Sequence, residues 1–84
     1  MTFEEEVIKE CNSVRDMLIL KNKAYGNSAL EPVRIFSKAT STEQILVRID
    51  DKLSRLQRGK PEDNEDTVMD LIGYLILLRI SKKA

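Results

Sequence analysis

The stretch Val68-Met69-Asp70-Leu71-Ile72-Gly73-Tyr74-Leu75-Ile76-Leu77-Leu78-Arg79-Ile80 decides the fold class. Its apolar residues fall nearly all round a helical projection and do not alternate as a strand would. Such a helix sits centrally in a bundle or lies in a subunit interface. The pattern predicts a start around Asp63 or Asn64, with Lys82 and Lys83 at the negative end of the helix dipole.

Working backwards along the chain, Leu46, Ile49, Leu53 and Leu56 make an apolar stripe on a preceding helix, and Arg48, Asp51, Lys52, Arg55 and Arg58 make its charged face. Ser41 with Gln44 reads as its capping box, so the helix opens at Ser41 or Thr42. It ends at Gly59, and Lys60-Pro61 begins a turn. At the beginning of the chain, Thr2 with Glu5 is another capping box, followed by the stripe Phe3, Val7, Cys11, Val14 and Leu18. That helix stops near Tyr25, with Gly26 as a left-handed cap, and Cys11 is expected in the core. Between the two, Ser28, Glu31 and Pro32 predict a short helix that buries Val33, Ile35 and Phe36. No strand pattern or internal repeat is present. The expected fold is all-α: a small antiparallel bundle of three long helices plus one short helix, one domain over residues 1–84. So small a core is marginal alone, and a homo-oligomer is expected.

Composition narrows the function. Fourteen basic and fourteen acidic residues balance to zero net charge, which argues against general nucleic-acid binding. Histidine is absent, which removes the commonest general base and the Ser-His and Cys-His pairs. The single cysteine excludes an intrachain disulfide and suits a reducing compartment. The longest uncharged run, Leu71 to Leu78, is far too short to span a membrane, and the acidic start is no secretory signal. A cytoplasmic protein is expected.

Several residues carry candidate chemistry. Asp70 is the only charge between Thr67 and Arg79, and it shares a helix face with Asp66 and Tyr74. Gly73 beside that face leaves room for a ligand. The plain alternative is a structural ion pair of Asp70 with Arg48 or Arg55. Arg48, Lys52 and Arg55 recur at helical spacing and suit phosphate oxygens; the alternative is a solvated face with internal pairs such as Asp51 to Arg55. Lys21-Asn22-Lys23-Ala24-Tyr25-Gly26-Asn27-Ser28 sets lysines, a ring and short polar groups at a helix exit. There a base could stack on Tyr25 while Lys21 or Lys23 meets phosphate; otherwise it is only a capped helix end. Glu4, Glu5, Glu6 and Glu10 could join Asp66 and Asp70 around magnesium, or simply favour a helix start.

Three strings occur in the order seen in the nucleotide modification associated domain family of phages and prophages, which the chain resembles. They are Lys21 to Ser28, then Ile45 to Leu56 with Arg48, Asp51-Lys52 and Arg55, then Glu65 to Tyr74 with Asp66-Thr67, Asp70-Leu71 and Tyr74. The resemblance covers nearly the whole chain and implies a nucleotide ligand. More distantly, Asp70 with Leu71 to Leu78 is similar to the late helix of MazG-like all-α nucleotide pyrophosphohydrolases. The chain departs from that pattern in having Thr67, not Glu, three residues before Asp70.

The expected function is capture of a phosphate-bearing nucleotide without turnover and without a cofactor. The ligand-binding set would be Lys21, Tyr25, Asn27, Arg48, Lys52, Arg55, Asp66, Asp70 and Tyr74. One version is a sponge for a cyclic nucleotide immune messenger. A magnesium-dependent nucleotide pyrophosphohydrolase or modification enzyme is the alternative. A further alternative is a protein–protein inhibitor of a host enzyme. For so short a chain, a site shared between subunits is expected, since one bundle has little room for a nucleotide.

Overall fold

A computed structural model describes residues 1–59 and 66–83. The described residues form three helices and no strand: α1 (Phe3–Tyr25), α2 (Ser41–Arg58) and α3 (Thr67–Lys83). Thr2 caps α1 by accepting a hydrogen bond from the Glu5 N–H, and its hydroxyl donates to the Glu5 carboxylate. Gly26 ends α1 at φ 64°, a left-handed conformation that glycine adopts without cost, and its N–H donates to the Asn22 carbonyl. Both ends of α1 therefore match the sequence reading.

The start of α2 does not. Its cap is Thr40, which accepts from the Glu43 N–H at 3.1 Å, one residue before the expected Ser41 and Gln44 box. Gln44 instead donates to the Ala39 carbonyl at 3.0 Å. Thr40, Ser41 and Thr42 can all cap, and only the path of the chain selects among them. Thr40→Ala is therefore expected to cost about 1 kcal/mol in urea unfolding and Ser41→Ala only a few tenths. A larger loss at Ser41 than at Thr40 would place the cap at Ser41. Gly59 closes α2 as expected, at φ 67°. The expected turn at Lys60-Pro61 and the expected start at Asp63 or Asn64 lie outside the described residues. The first residue of α3 is Thr67, and the Asp66 carboxylate accepts from the Met69 N–H at 2.9 Å.

The expected short helix is replaced by a single turn. The Leu30 and Glu31 N–H groups both donate to the Asn27 carbonyl. Pro32 lacks the N–H that would continue the ladder. Val33, Ile35 and Phe36 are exposed, not buried.

Antiparallel contacts set the topology. Thr42 near the start of α2 hydrogen-bonds Ser81 near the end of α3, while Lys52 reaches Asp70 near the start of α3. On α1, Lys21 also reaches Asp70, and Met17 and Leu18 lie against Gly73. Hence α1 and α2 both run antiparallel to α3. Both pack on it, but among the described residues they do not pack on each other. Gly73 permits the α1 approach: a Cβ there would sit 2.9 Å from Met17 Cε and 3.2 Å from Leu18 Cδ2. The buried apolar core is small, consisting of Val14, Ile45 and Ile49. Cys11 is exposed, contrary to expectation, as is every residue of α1 before Val14. On α2 the inward pair is Ile45 and Ile49, while Leu53 and Leu56 of the expected stripe stay exposed.

Candidate functional site

Because α1 and α2 stand apart on α3, a cleft of about 560 Å³ opens between them. Its α1 wall is Met17, Leu18, Lys21, Asn22 and Tyr25, and its α2 wall is Gln44, Ile45 and Arg48. The floor is Asp70, Gly73, Tyr74 and Leu77 of α3, and the linking segment contributes Ser28, Ala29, Pro32 and Val33 at the rim. The volume falls within the range of small-molecule sites, ~300–1,000 Å³. A cleft of this size lies within a single chain, where the sequence reading expected one bundle to have little room.

Asp70 ties the walls to the floor. Its carboxylate accepts from Lys21 Nζ of α1 at 3.0 Å and lies 3.4 Å from Lys52 Nζ of α2. The expected ion pair is therefore present, but its partners are lysines, not Arg48 or Arg55. Lys52 is only 12% exposed through its side chain, so it serves this bridge rather than an open phosphate face. Arg55 turns to Asp51 at 3.3 Å, the internal pair that was the plain alternative.

Arg48 lies on the cleft wall, and among the described residues its guanidinium is held by no ion pair or hydrogen bond. Tyr25, 72% exposed, and the half-buried Tyr74 line the same cleft. The structure thus brings together Lys21, Tyr25, Arg48, Asp70 and Tyr74 from the expected set. It does not bring the others in. Asn27 holds the turn after α1 in a left-handed conformation (φ 49°). Asp66 caps α3, and Lys52 and Arg55 are placed as above.

The acids considered for magnesium do not gather within the chain. Glu10, the closest of the four to Lys21 along α1, is 11 residues away from it, roughly 16 Å of helix. Among the described residues no three cysteine or acidic side chains converge on one point.

The sequence reading missed the apolar lining. Met17, Leu18 and Leu77 looked like ordinary helix-stripe residues, and Gln44 like half of a cap. The signal that could have found them is their spacing from Lys21 and Asp70 along helix faces: Leu18 is one turn before Lys21, and Leu77 two turns after Asp70. No described helix is long and apolar enough to cross a membrane. Comparison with known proteins returned no match to any family model, curated protein or solved structure.

Proposed function

We propose that the cleft captures a phosphate-bearing nucleotide and does not turn it over. The observation that carries this reading is the guanidinium of Arg48, held by no described neighbour, in a cleft that also presents two tyrosine rings and Lys21. A planar guanidinium with its donors uncommitted suits a phosphate. Tyr25 and Tyr74 offer faces for a base, and Lys21 supplies a second cation at the rim. Asp70 holds the lysines in place and can accept a hydrogen bond from a base or sugar. The resemblance to the phage nucleotide modification associated domain family favours the same ligand class. A sponge for a cyclic nucleotide immune messenger, working as a homo-oligomer in the cytoplasm of a host cell, is the specific form of this reading.

The test is a thermal-shift panel of nucleoside triphosphates and cyclic di- and trinucleotides, each with magnesium and with EDTA. The stabilising ligand is then recovered by heating and identified by chromatography. Stabilisation in EDTA with intact ligand is expected. Stabilisation only with magnesium, with cleaved ligand, would turn the reading into an enzyme. No stabilisation by any nucleotide would leave an interaction protein. Arg48→Ala is expected to weaken the best ligand about 10- to 100-fold, the loss of one or two charge-assisted hydrogen bonds, with melting temperature almost unchanged. Equal affinity in wild type and variant would remove Arg48 from the site.

A further inference from the structure

The connection between α1 and α2 sets three apolar side chains in open solvent. Val33, Ile35 and Phe36 are 79%, 77% and 98% exposed. Arg34 and Lys38 are interspersed with them, and no acid falls between Glu31 and Glu43. Among the described residues neither cation has an ion pair.

Topology lays this segment along the cleft. Both α1 and α2 run antiparallel to α3, so they are parallel to each other. The chain must therefore return from the Asp70 end of α3 to its Ser81 end, roughly 16 Å of helix, before α2 can begin. On the way, Pro32 and Val33 line the cleft. At the far end the Ala39 carbonyl accepts from Nε2 of Gln44, itself a wall residue, at 3.0 Å. Phe36 is three residues from Val33 and three from Ala39. Even a fully extended chain therefore holds it within about 11 Å of each. Between these anchors, residues 33–38 make no hydrogen bond to any described helix. Their one bond is local, from the Ala39 N–H to Ser37 Oγ at 3.1 Å.

We propose that residues 33–38 are a strap that closes over the occupied cleft, with Phe36 covering the nucleotide and Arg34 meeting its phosphate. The proposal rests on the cleft reading above and adds two binding residues to it. The ligand supplies what the empty cleft lacks. Its negative charge draws in a segment whose charges are all positive. Its rings give Val33, Ile35 and Phe36 the apolar surface that the helices do not. The tied ends stay in place, and the middle breaks no hydrogen bond to a helix as it moves. Closure also removes water from around Arg48, which strengthens its contact with phosphate.

The chain has no tryptophan, so Phe36→Trp places a single reporter on the strap. Its emission and iodide quenching are read in EDTA with ATP, GTP, CTP, UTP, cyclic di-AMP and cyclic di-GMP, beside the melting temperature. Whichever nucleotide raises the melting temperature should also shift the emission to shorter wavelength and reduce the quenching, with one dissociation constant. Phe36→Ser and Arg34→Gln should each weaken that nucleotide about 10-fold, chiefly by faster dissociation. Both side chains are exposed, so the melting temperature of the empty chain should stay where it is. A nucleotide that raises the melting temperature but leaves the tryptophan in open solvent would overturn the strap and leave the cleft reading standing. Emission already at shorter wavelength in the empty chain, and reversed by dilution, would mean that a second copy covers Phe36, and would also overturn it. If no nucleotide raises the melting temperature, the cleft reading falls and the strap with it.

Discussion

Asp70→Ala is expected to lower the melting temperature by about 10 °C, the shift for roughly 2 kcal/mol in a domain of this size. The carboxylate is 17% exposed and meets a lysine from each flanking helix, at 3.0 and 3.4 Å. A hydrogen bond to a charged group contributes about 1.5–3 kcal/mol when shielded. The Lys21 contact is discounted, because that side chain is 53% exposed and solvent screens it. Most of the loss therefore comes from the Lys52 side, where the lysine side chain is nearly covered. Lys21→Met should cost only a few tenths of a kcal/mol. Asp70→Asn, which keeps an acceptor oxygen, should fall between the two. Thermal unfolding at fixed protein concentration decides it. A shift of less than a degree or two for Asp70→Ala would mean that the three helices are held without this bridge.

Ile45→Ala is expected to be more damaging still. Ile45 is 2% exposed, the most deeply buried side chain described, and only Val14 and Ile49 join it as buried apolar residues. Truncating a buried isoleucine to alanine costs about 2–5 kcal/mol, the transfer free energy of the lost methyl groups plus the cavity left behind. A chain this short has a total stability of about 4–12 kcal/mol. The change therefore removes a large share of it, and urea titration should show a much lower midpoint. Ile45 also lines the cleft wall, so affinity for any cleft ligand should fall in parallel with stability. Leu53→Ala, at an exposed position of the same helix, should change the midpoint little. Equal effects at the two positions would contradict the packing of α2 on α3.

Local features were legible in the sequence where one residue decides the matter. Thr2 with Glu5 and Gly26 bounded α1, and Gly59 bounded α2, because a cap or a left-handed turn depends only on near neighbours. Where several adjacent residues can do the same job, as at Thr40, Ser41 and Thr42, propensity could not choose between them. The short helix around Pro32 failed for a different reason. Its apolar residues suggested burial, but burial depends on a partner surface that the segment does not meet. The same division holds for the cleft. The exceptional character of Asp70 was plain from its apolar surroundings. That it pairs with Lys21 and Lys52 and leaves Arg48 outside the bridge depends on how the helices lie on α3, which no local pattern encodes. Leu53 and Leu56 misled in the same way: a stripe shows that a helix has an apolar side, not which part of it finds cover.

The separation of α1 from α2 has a thermodynamic consequence. The two helices stand on a common floor with a cleft between them, so the chain lacks the close α1–α2 packing that a closed bundle would have. A molecule seated between them supplies that missing contact, and it binds the folded chain while having no site on the unfolded one. Occupancy and stability are then linked: ligand at about 100 times its dissociation constant adds about 2.7 kcal/mol. Against so small a core, that is a substantial fraction of the whole. The empty protein would be the form most exposed to unfolding and proteolysis, and the loaded one the form that persists.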